Sequence, residues 1–199
     1  MSPRPYRMGK RLAMASATRR RILEASRQLL AGPTETDLSM DAIARRADVS
    51  RLTIYYQFKS RPGLLEALYD YLAMRGNMRG MAEVFHESDP RVALEKLVDT
   101  FVGFWSSDPV VIRRLRAMAA LDAEIAEGIR ARDARRRHAA GEIMRRLAPG
   151  TKKAKPQNLA ADLLSMLTSF ESYDALARAG HSRAQITAAV IRLVRLAVF

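Results

Sequence analysis

The sequence predicts an all-α protein in which a small N-terminal domain precedes a larger helical one. Apolar side chains recur at helical spacing along nearly the whole chain, and the alternating pattern that marks half-buried strands is missing. Serine or aspartate residues at cap positions, some followed by proline, mark repeated helix starts. The 199 residues accommodate both domains, since domains commonly run to about 100–150 residues.

Composition narrows the class of partner. The net charge of +13 favours an anionic partner, most commonly nucleic acid, although a solvated surface gives the same imbalance. Residues 1–60 contribute twelve Lys/Arg against five Asp/Glu, a net charge of +7. The chain has no cysteine, which excludes disulfides and thiolate metal sites and suits a reducing cytosol.

Hydropathy indicates a cytoplasmic protein with no membrane partner. The longest apolar stretches are shorter than the ~20 residues that span a bilayer. The basic N-terminus lacks the apolar segment of a signal peptide.

The N-terminal residues 1–15 are predicted to form a flexible basic arm, with charges at Arg4, Arg7, Lys10 and Arg11. A helix follows over about Ala17–Leu30 and ends at Gly32-Pro33. It begins with three arginines that, with the arm, could follow the DNA backbone or enter a minor groove: Arg19, Arg20 and Arg21. The alternative is a disordered tail and a solvated helix start.

Residues 16–60 are predicted to form a three-helix helix-turn-helix domain. Ser39 caps a helix over Met40–Ala47, Asp48-Val49 forms a tight turn, and Ser50 caps a helix over Arg51–Phe58. The inward side chains are expected to be Met40, Ile43, Ala44, Ala47, Val49, Ile54 and either Tyr55 or Phe58.

The opposite side of the second short helix is expected to be exposed and to fit the major groove of B-DNA. Arg51 can pair with guanine, Leu52 can contact a thymine methyl, and Thr53 can bond either a phosphate or a base. Tyr56 and Lys59 reach phosphates more readily.

Residues 39–64, SMDAIARRADVSRLTIYYQFKSRPGL, resemble the DNA-binding signature of the TetR family. The resemblance implies that Thr53, Tyr55 and Tyr56 lie on a recognition helix, and that Ser39 and Lys59 meet phosphates at helix N-termini. The predicted DNA-binding set is Ser39, Met40, Ser50, Arg51, Leu52, Thr53, Tyr55, Tyr56 and Lys59, together with the three arginines. Leu52 replaces a residue that is often small in the family, and the loop 31–38 lacks the Gly-aromatic spacing that is usual in the family. The alternative is a packed hairpin whose Tyr and Phe side chains are core, and Tyr55 fits either role.

The C-terminal residues 61–199 are predicted to form a regulatory and dimerisation domain. Its expected helices are about 60–85, 89–106, 108–120, 122–147, 158–179 and 182–198, which brings the total to about nine. Residues 148–157, APGTKKAKPQ, are expected to form a mobile basic loop.

By the same resemblance, this domain is expected to dimerise and to hold a small-molecule effector. Flexible and aromatic side chains can line an apolar pocket, and the candidates are Phe85, Phe101, Phe104, Trp105, Met118, Leu121, Met144, Met166, Phe170 and Tyr173. Ordinary helical core is the alternative for each of them.

The last two helices carry more apolar residues than one buried stripe requires, which predicts a four-helix dimer interface. The candidates are Leu159, Leu163, Leu167, Phe170, Ile186, Val190, Leu193 and Val194. An intrachain core is the alternative. A dimer would place two recognition helices about 34–36 Å apart on a palindromic site.

Residues 130–138, RARDARRRH, are expected to form a solvated face on which Asp133 pairs with Arg130 and Arg137; the alternative is a second anion site. No enzyme activity, cofactor or metal site is predicted. The histidines lie far apart, and neither a glycine-rich phosphate loop nor a nucleophile elbow is found.

The sequence therefore predicts a repressor that binds DNA as a homodimer and is released by a small apolar effector. An activator would have the same sequence features. A non-specific architectural DNA-binding protein and a basic module at an anionic membrane surface are alternatives.

Overall fold

The computed structural model describes residues 5–33, 37–147 and 154–198, and within them it contains eleven α-helices, one 3-10 turn and no strand. The all-α prediction is confirmed. The helices are α1 Pro5–Ala31, α2 Met40–Ala47, α3 Arg51–Phe58, α4 Arg61–Arg75, α5 Met81–His86, α6 Pro90–Ser107, α7 Pro109–Met118, α8 Ala123–Leu147, α9 Ala154–Leu167, α10 Phe170–Arg178 and α11 Arg183–Val198.

The chain forms two compact units, which divide between Tyr71 and Leu72, within α4. We call them the N-terminal unit and the C-terminal unit. The functional domain borders inferred from the sequence stay a prediction. None of the described helices combines the length and the apolar character that a bilayer span requires.

The N-terminal unit is organised around α1, whose apolar side packs on α2 and α3. Ile22, Ile43 and Ile54 are fully buried, and the hydroxyl of buried Ser26 donates to the Ile22 carbonyl at 2.9 Å. The first helix begins at Pro5, well before the predicted start, because proline suits the first helical turn and good helix formers follow it. The side chains of the arm residues Arg4, Arg7, Lys10 and Arg11 lie outside what the structure describes.

The C-terminal unit has a core that α6 crosses, with α8 packed on α9 and α11 packed on α6. Trp105 of α6 is buried among aromatic rings, and its indole nitrogen donates to the Thr168 carbonyl at 2.9 Å.

The predicted helix 60–85 is wrong, because α4 ends at Arg75 and a 3-10 turn precedes α5. Asn77 adopts a left-handed backbone with φ of 57°, which stops the helix. Gly76 is required beside it, since a Cβ there would lie 2.4 Å from a ring carbon of Phe104.

The predicted helix 158–179 is also wrong, because it breaks at Thr168 and Ser169. The Ser169 hydroxyl accepts from the Ser172 amide at 3.2 Å and thereby caps α10, while the Thr168 hydroxyl donates to the Leu164 carbonyl at 2.7 Å. At its N-terminal end α9 begins at Ala154, inside the predicted loop, most of which lies outside the described residues.

The arginine-rich segment 130–138 is not simply a solvated face. Arg136 is buried; it donates to Asp133 at 2.7 Å and to the Ser165 carbonyl at 3.3 Å. Asp133 also accepts from Arg116 of α7 at 2.9 Å. It does not pair with Arg130 or Arg137, the partners that the sequence predicts. Those arginines pair elsewhere, Arg130 with Glu127 and Arg137 with Asp162.

Candidate functional site

The two short helices of the N-terminal unit are fixed by their own caps, as predicted. The Ser39 hydroxyl accepts from the Ala42 amide at 3.2 Å, and the Ser50 hydroxyl accepts from the Thr53 amide at 3.1 Å. Asp48 ends α2 with a left-handed backbone, φ 50°, and the next amide, Val49, donates to the Ala44 carbonyl at 3.1 Å. A turn of this geometry holds α3 at a set angle to α2.

Helix α3 has one buried side and one exposed side. Ile54 and Phe58 are buried, which resolves the choice between Tyr55 and Phe58 as the second inward anchor. On the other side Leu52 is 77% exposed, Tyr56 is 73% exposed and Tyr55 is 37% exposed. The helix therefore presents large apolar side chains to solvent, next to Arg51.

The end of α3 is held by a close approach of the chain. Lys59 has φ 70°, and its amide donates to the Tyr55 carbonyl at 2.8 Å. Gly63 at the start of α4 admits no side chain, since a Cβ would lie 2.2 Å from the Phe58 carbonyl oxygen. The Lys59 ammonium lies 5.3 Å from the centre of the Tyr56 ring, so the two predicted phosphate contacts are neighbours.

The three arginines of α1 have different surroundings. Arg19 donates to the Gln57 carbonyl at 2.8 Å, and its guanidinium carbon lies 4.3 Å from the centre of the Phe58 ring. Arg21 donates weakly to the Asp48 carbonyl at 3.4 Å, and Arg20 is exposed. Arg19 thus stabilises the end of α3. Its contact with DNA stays a prediction.

One predicted contact residue of α2 needs correction. Met40 is buried in the core of the N-terminal unit, so its side chain is not presented to DNA. The Ser39 hydroxyl, at the N-cap of α2, donates to the Asp37 carboxylate at 2.7 Å, and its contact with a phosphate stays a prediction. Thr53 is half-buried, and its hydroxyl lies 2.8 Å from that of Ser50.

Asp41 is not identified from the sequence as the partner of Arg51. Its carboxylate oxygens lie 3.2 and 3.4 Å from Nη1 of Arg51, and Arg51 also lies over the Tyr55 ring, 5.9 Å from the centre. Tyr55 and the charge of Asp41 raise the pKa of Arg51 above its usual range. The signal that could have identified Asp41 is an acidic residue in the first turn of α2 and a basic one in the first turn of α3.

The predicted pocket residues separate into two groups. The first group lies in or against the core of the C-terminal unit and consists of Phe101, Phe104, Trp105, Met144, Phe170 and Tyr173. The Trp105 ring centre lies 4.6 Å from that of Phe104 and 5.6 Å from that of Phe170. Leu121, 96% exposed, lies outside this cluster together with the half-exposed Phe85 and Met166 and the partly buried Met118.

A cavity of about 40 Å³ lies beside this cluster, lined by Leu72, Arg75, Phe104, Ser107, Asp108 and Ile112. Binding sites for drug-sized molecules usually enclose about 300–1,000 Å³. The cavity is therefore far smaller than an effector site requires.

The predicted dimer residues also divide. Phe170, Ile186, Val190 and Val194 are buried by the rest of the C-terminal unit, so these four belong to an intrachain core, and this part of the prediction is wrong. Their burial accounts for the high apolar content of the last helices. Leu159 and Leu193 are exposed, and Leu163 and Leu167 are half-buried.

Known proteins resemble this chain in both sequence and fold. Residues 22–68 match the family model described as bacterial regulatory proteins, tetR family. The HTH-type transcriptional regulator EthR of Mycobacterium tuberculosis is 29% identical over 123 residues, which are 60% of this chain and 57% of EthR. EthR of Mycolicibacterium smegmatis is 29% identical over 53% of this chain and 50% of the relative. The matches thus span about half the length of these curated relatives.

Solved structures share the fold over most of the chain. A TetR-like transcriptional regulator from Rhodococcus sp. RHA1 has a TM-score of 0.66 at 20% identity and covers 89% of this chain and 93% of its own. The TetR-like regulator LfrR of Mycobacterium smegmatis, solved in complex with proflavine, has a TM-score of 0.53 at 26% identity, with 92% and 96% covered. Residues 22–68 thus match the tetR family of bacterial regulatory proteins, and the chain as a whole has the fold of TetR-like regulators.

Proposed function

We propose that the chain is a sequence-specific regulator that binds a palindromic operator in double-stranded DNA as a homodimer and represses transcription there. The observation that carries the proposal is the outward side of α3, where Leu52 and Tyr56 stay exposed beside Arg51. Large exposed apolar side chains among basic ones mark a binding surface. Members of the TetR family act as DNA-binding regulators rather than as enzymes. The protein would act in the cytoplasm, on the nucleoid.

The chemistry of each exposed side chain suggests its contact. Arg51 at the N-terminal end of α3 can donate to guanine O6 and N7, and Leu52 can pack on a thymine methyl. Tyr56 and Lys59, which lie against each other, can contact the phosphate backbone. Arg20 adds an exposed charge on α1.

Selection from genomic fragments at near-physiological salt tests the proposal. The wild-type protein should recover a palindrome with half-sites about one helical turn apart. Thr53→Ala with Tyr56→Ala should weaken operator binding at least tenfold, whereas Leu121→Ala, an exposed change outside the N-terminal unit, should leave it unchanged. A folded double variant with full affinity would contradict the assignment. Uniform recovery that fades with salt would instead indicate an architectural protein.

The proposed dimer rests on exposed leucines of the last helices. Leu159 of α9 and Leu193 and Leu196 of α11 are all more than half exposed. Side chains of this size on long helices are typical of an interface that a second copy covers.

Sedimentation of charged variants tests the dimer. Leu193→Glu should produce monomers, because a carboxylate at an apolar interface has no partner. Leu121→Glu makes the same change at a more exposed leucine and should sediment as the wild type. Equal dissociation in both variants, or a monomeric wild type, would contradict the proposed interface.

Release by a small apolar effector is the remaining part of the proposal. It is supported by the aromatic cluster around Trp105 and by the relative LfrR, which was solved with proflavine. Because the adjacent cavity is only about 40 Å³, an effector that binds at this cluster would have to displace core side chains. A ligand that binds only the opened conformation would shift the population away from the DNA-binding one.

Titration with proflavine tests this part. Binding in the cluster should quench Trp105 fluorescence and release operator DNA at the same concentrations. DNA release without quenching would place the effector elsewhere. Reporter expression with and without the protein distinguishes repression from activation.

A further inference from the structure

We propose that Asp41 determines sequence specificity by holding the Arg51 guanidinium in position to read guanine and away from the phosphate backbone. The inference rests on the proposed function, because it assigns a role to an acidic residue within the same DNA-binding surface. Asp41 would touch no base itself, and it is a positioning residue for Arg51.

The first step is the position of Arg51 in its helix. Arg51 is the first residue of α3, directly after the cap Ser50. A positive charge is unfavourable there, because the N-terminal end of a helix carries a partial positive charge. The same end of a recognition helix is the part that contacts base edges. The location is therefore poor for helix stability and suitable for reading DNA.

The second step is the geometry of the pair. Asp41 lies in the first turn of α2, where its carboxylate is favourable, and it contacts Arg51 only through Nη1. A guanidinium has five N–H donors, so others remain for a base. The Tyr55 ring, 5.9 Å from the guanidinium carbon, restricts the side chain from a second direction.

The third step is that stability does not account for the pair. Both side chains are more than half exposed, 53% for Arg51 and 58% for Asp41. Ion pairs exposed to this extent contribute little to folding. A fixed carboxylate on a surface that meets DNA also repels phosphates, so it weakens general attraction to DNA.

The consequence is that guanine and the phosphates compete for the Arg51 guanidinium, and that Asp41 favours guanine. A guanidinium held by Asp41 is ordered before binding, and its remaining donors can meet guanine O6 and N7. Without the carboxylate, Arg51 becomes free to pair with any phosphate within reach. Specific recognition then decreases while non-specific binding increases.

The experiment compares Asp41→Asn with Asp48→Asn. Asp48 is exposed, lines the same groove between α2 and α3, and has a left-handed backbone that asparagine tolerates. Both variants remove one negative charge, but only Asp41 contacts Arg51. Selection and sequencing from a randomised DNA library gives the base preferences, and titration of unrelated duplex DNA across salt concentrations gives the non-specific slope.

We expect Asp41→Asn to reduce one guanine preference in each half-site about tenfold, the low end for a bidentate contact. Its non-specific salt slope should steepen by about one unit relative to Asp48→Asn, because one more phosphate is neutralised. Arg51→Ala should lose the same guanine preference, and Asp41→Asn should then have no further effect on it.

Different outcomes separate the two proposals. If the wild type selects no sequence, the proposed function fails. If the wild type selects a palindrome but Asp41→Asn and Asp48→Asn give the same profile and the same slope, only the role of Asp41 is overturned. A guanine preference that Arg51→Ala retains and that the added Asp41→Asn then reduces would also overturn it, because Asp41 would not act through Arg51.

Discussion

Arginines at the ends of the two short helices and arginines that join the helices of the C-terminal unit bind different acceptors. In the N-terminal unit, Arg19 and Arg21 donate to backbone carbonyls near the ends of α3 and α2. In the C-terminal unit, Arg116 bridges to carboxylates on α8 and α10, and Arg183 pairs with Asp99 of α6. Arg19 and Arg21 thus hold the ends of the two short helices, whereas Arg116 and Arg183 join helices while neutralising charge. A count of arginines therefore does not measure how many side chains are available to DNA.

The largest expected effect concerns the buried arginine of α8. Arg136→Ala should lower the free energy of unfolding by about 3 kcal/mol, because it removes a buried guanidinium that donates to Asp133 and to the Ser165 carbonyl. Arg116 still pairs with Asp133, which keeps the loss at the low end of the range for broken buried pairs. Urea unfolding followed by circular dichroism measures the change.

Arg135→Ala is the matched control, since Arg135 is the exposed neighbour on the same helix. Its effect should stay within about 0.5 kcal/mol. Equal losses in the two variants would remove the distinction between arginines that join helices and arginines that are solvated.

An intermediate effect is expected for the arginine that holds α3. Arg19→Ala should destabilise the protein by about 1–2 kcal/mol, because it removes a charged hydrogen bond to the Gln57 carbonyl and the contact with the Phe58 ring. Arg20→Ala should leave stability nearly unchanged. If Arg20→Ala reduces the salt slope of DNA binding while stability is unaffected, the adjacent arginines have separate roles.

The smallest expected effect depends on pH. The hydrogen bond from Arg27, and then that from Tyr71, lower the pKa of Glu24 to about 2, against an opposing effect of burial. Because the folded pKa lies below the unfolded value of 4.5, the stabilisation is complete above about pH 4.5 and is lost as pH falls toward 2.

Glu24→Gln should therefore be about 1 kcal/mol less stable than the wild type at pH 7. The deficit should shrink as the two proteins are unfolded at successively lower pH. Tyr71→Phe removes one of the bonds and should show a smaller deficit with the same trend. A deficit that stays constant down to pH 2 would show that the ionised carboxylate is not responsible.

Local signals explain why the helix-turn-helix could be predicted closely. The Ser39 and Ser50 caps act within three residues, so the bounds of α2 and α3 follow from the sequence alone. Met40 shows the limit of such reasoning, because its residue type suits either core or contact and only the packing of α1 decides. The position of Arg19 likewise predicts a DNA contact, and its structural role is not visible in the sequence because its partners lie 38 and 39 residues away.

The C-terminal unit could be predicted only in outline, because its decisive contacts are distant in sequence. The break between α9 and α10 has a local signal in the Ser169 cap, but the Thr168 carbonyl at the break meets an indole 63 residues away. The apolar excess of the last helices predicts a dimer surface, but Ile186 and Val190 pack inside their own unit. Hydrophobic spacing indicates that a face is covered but does not identify the cover.

The bond between the Trp105 indole and the Thr168 carbonyl gives the C-terminal unit a built-in spectroscopic label. Since the chain has one tryptophan, a single indole N–H resonance reports whether the indole is bonded to the carbonyl at the break between α9 and α10. Slow exchange of that proton with solvent would mark the state in which this hydrogen bond is formed. Faster exchange on adding a ligand would show that the core opens around Trp105 and Thr168.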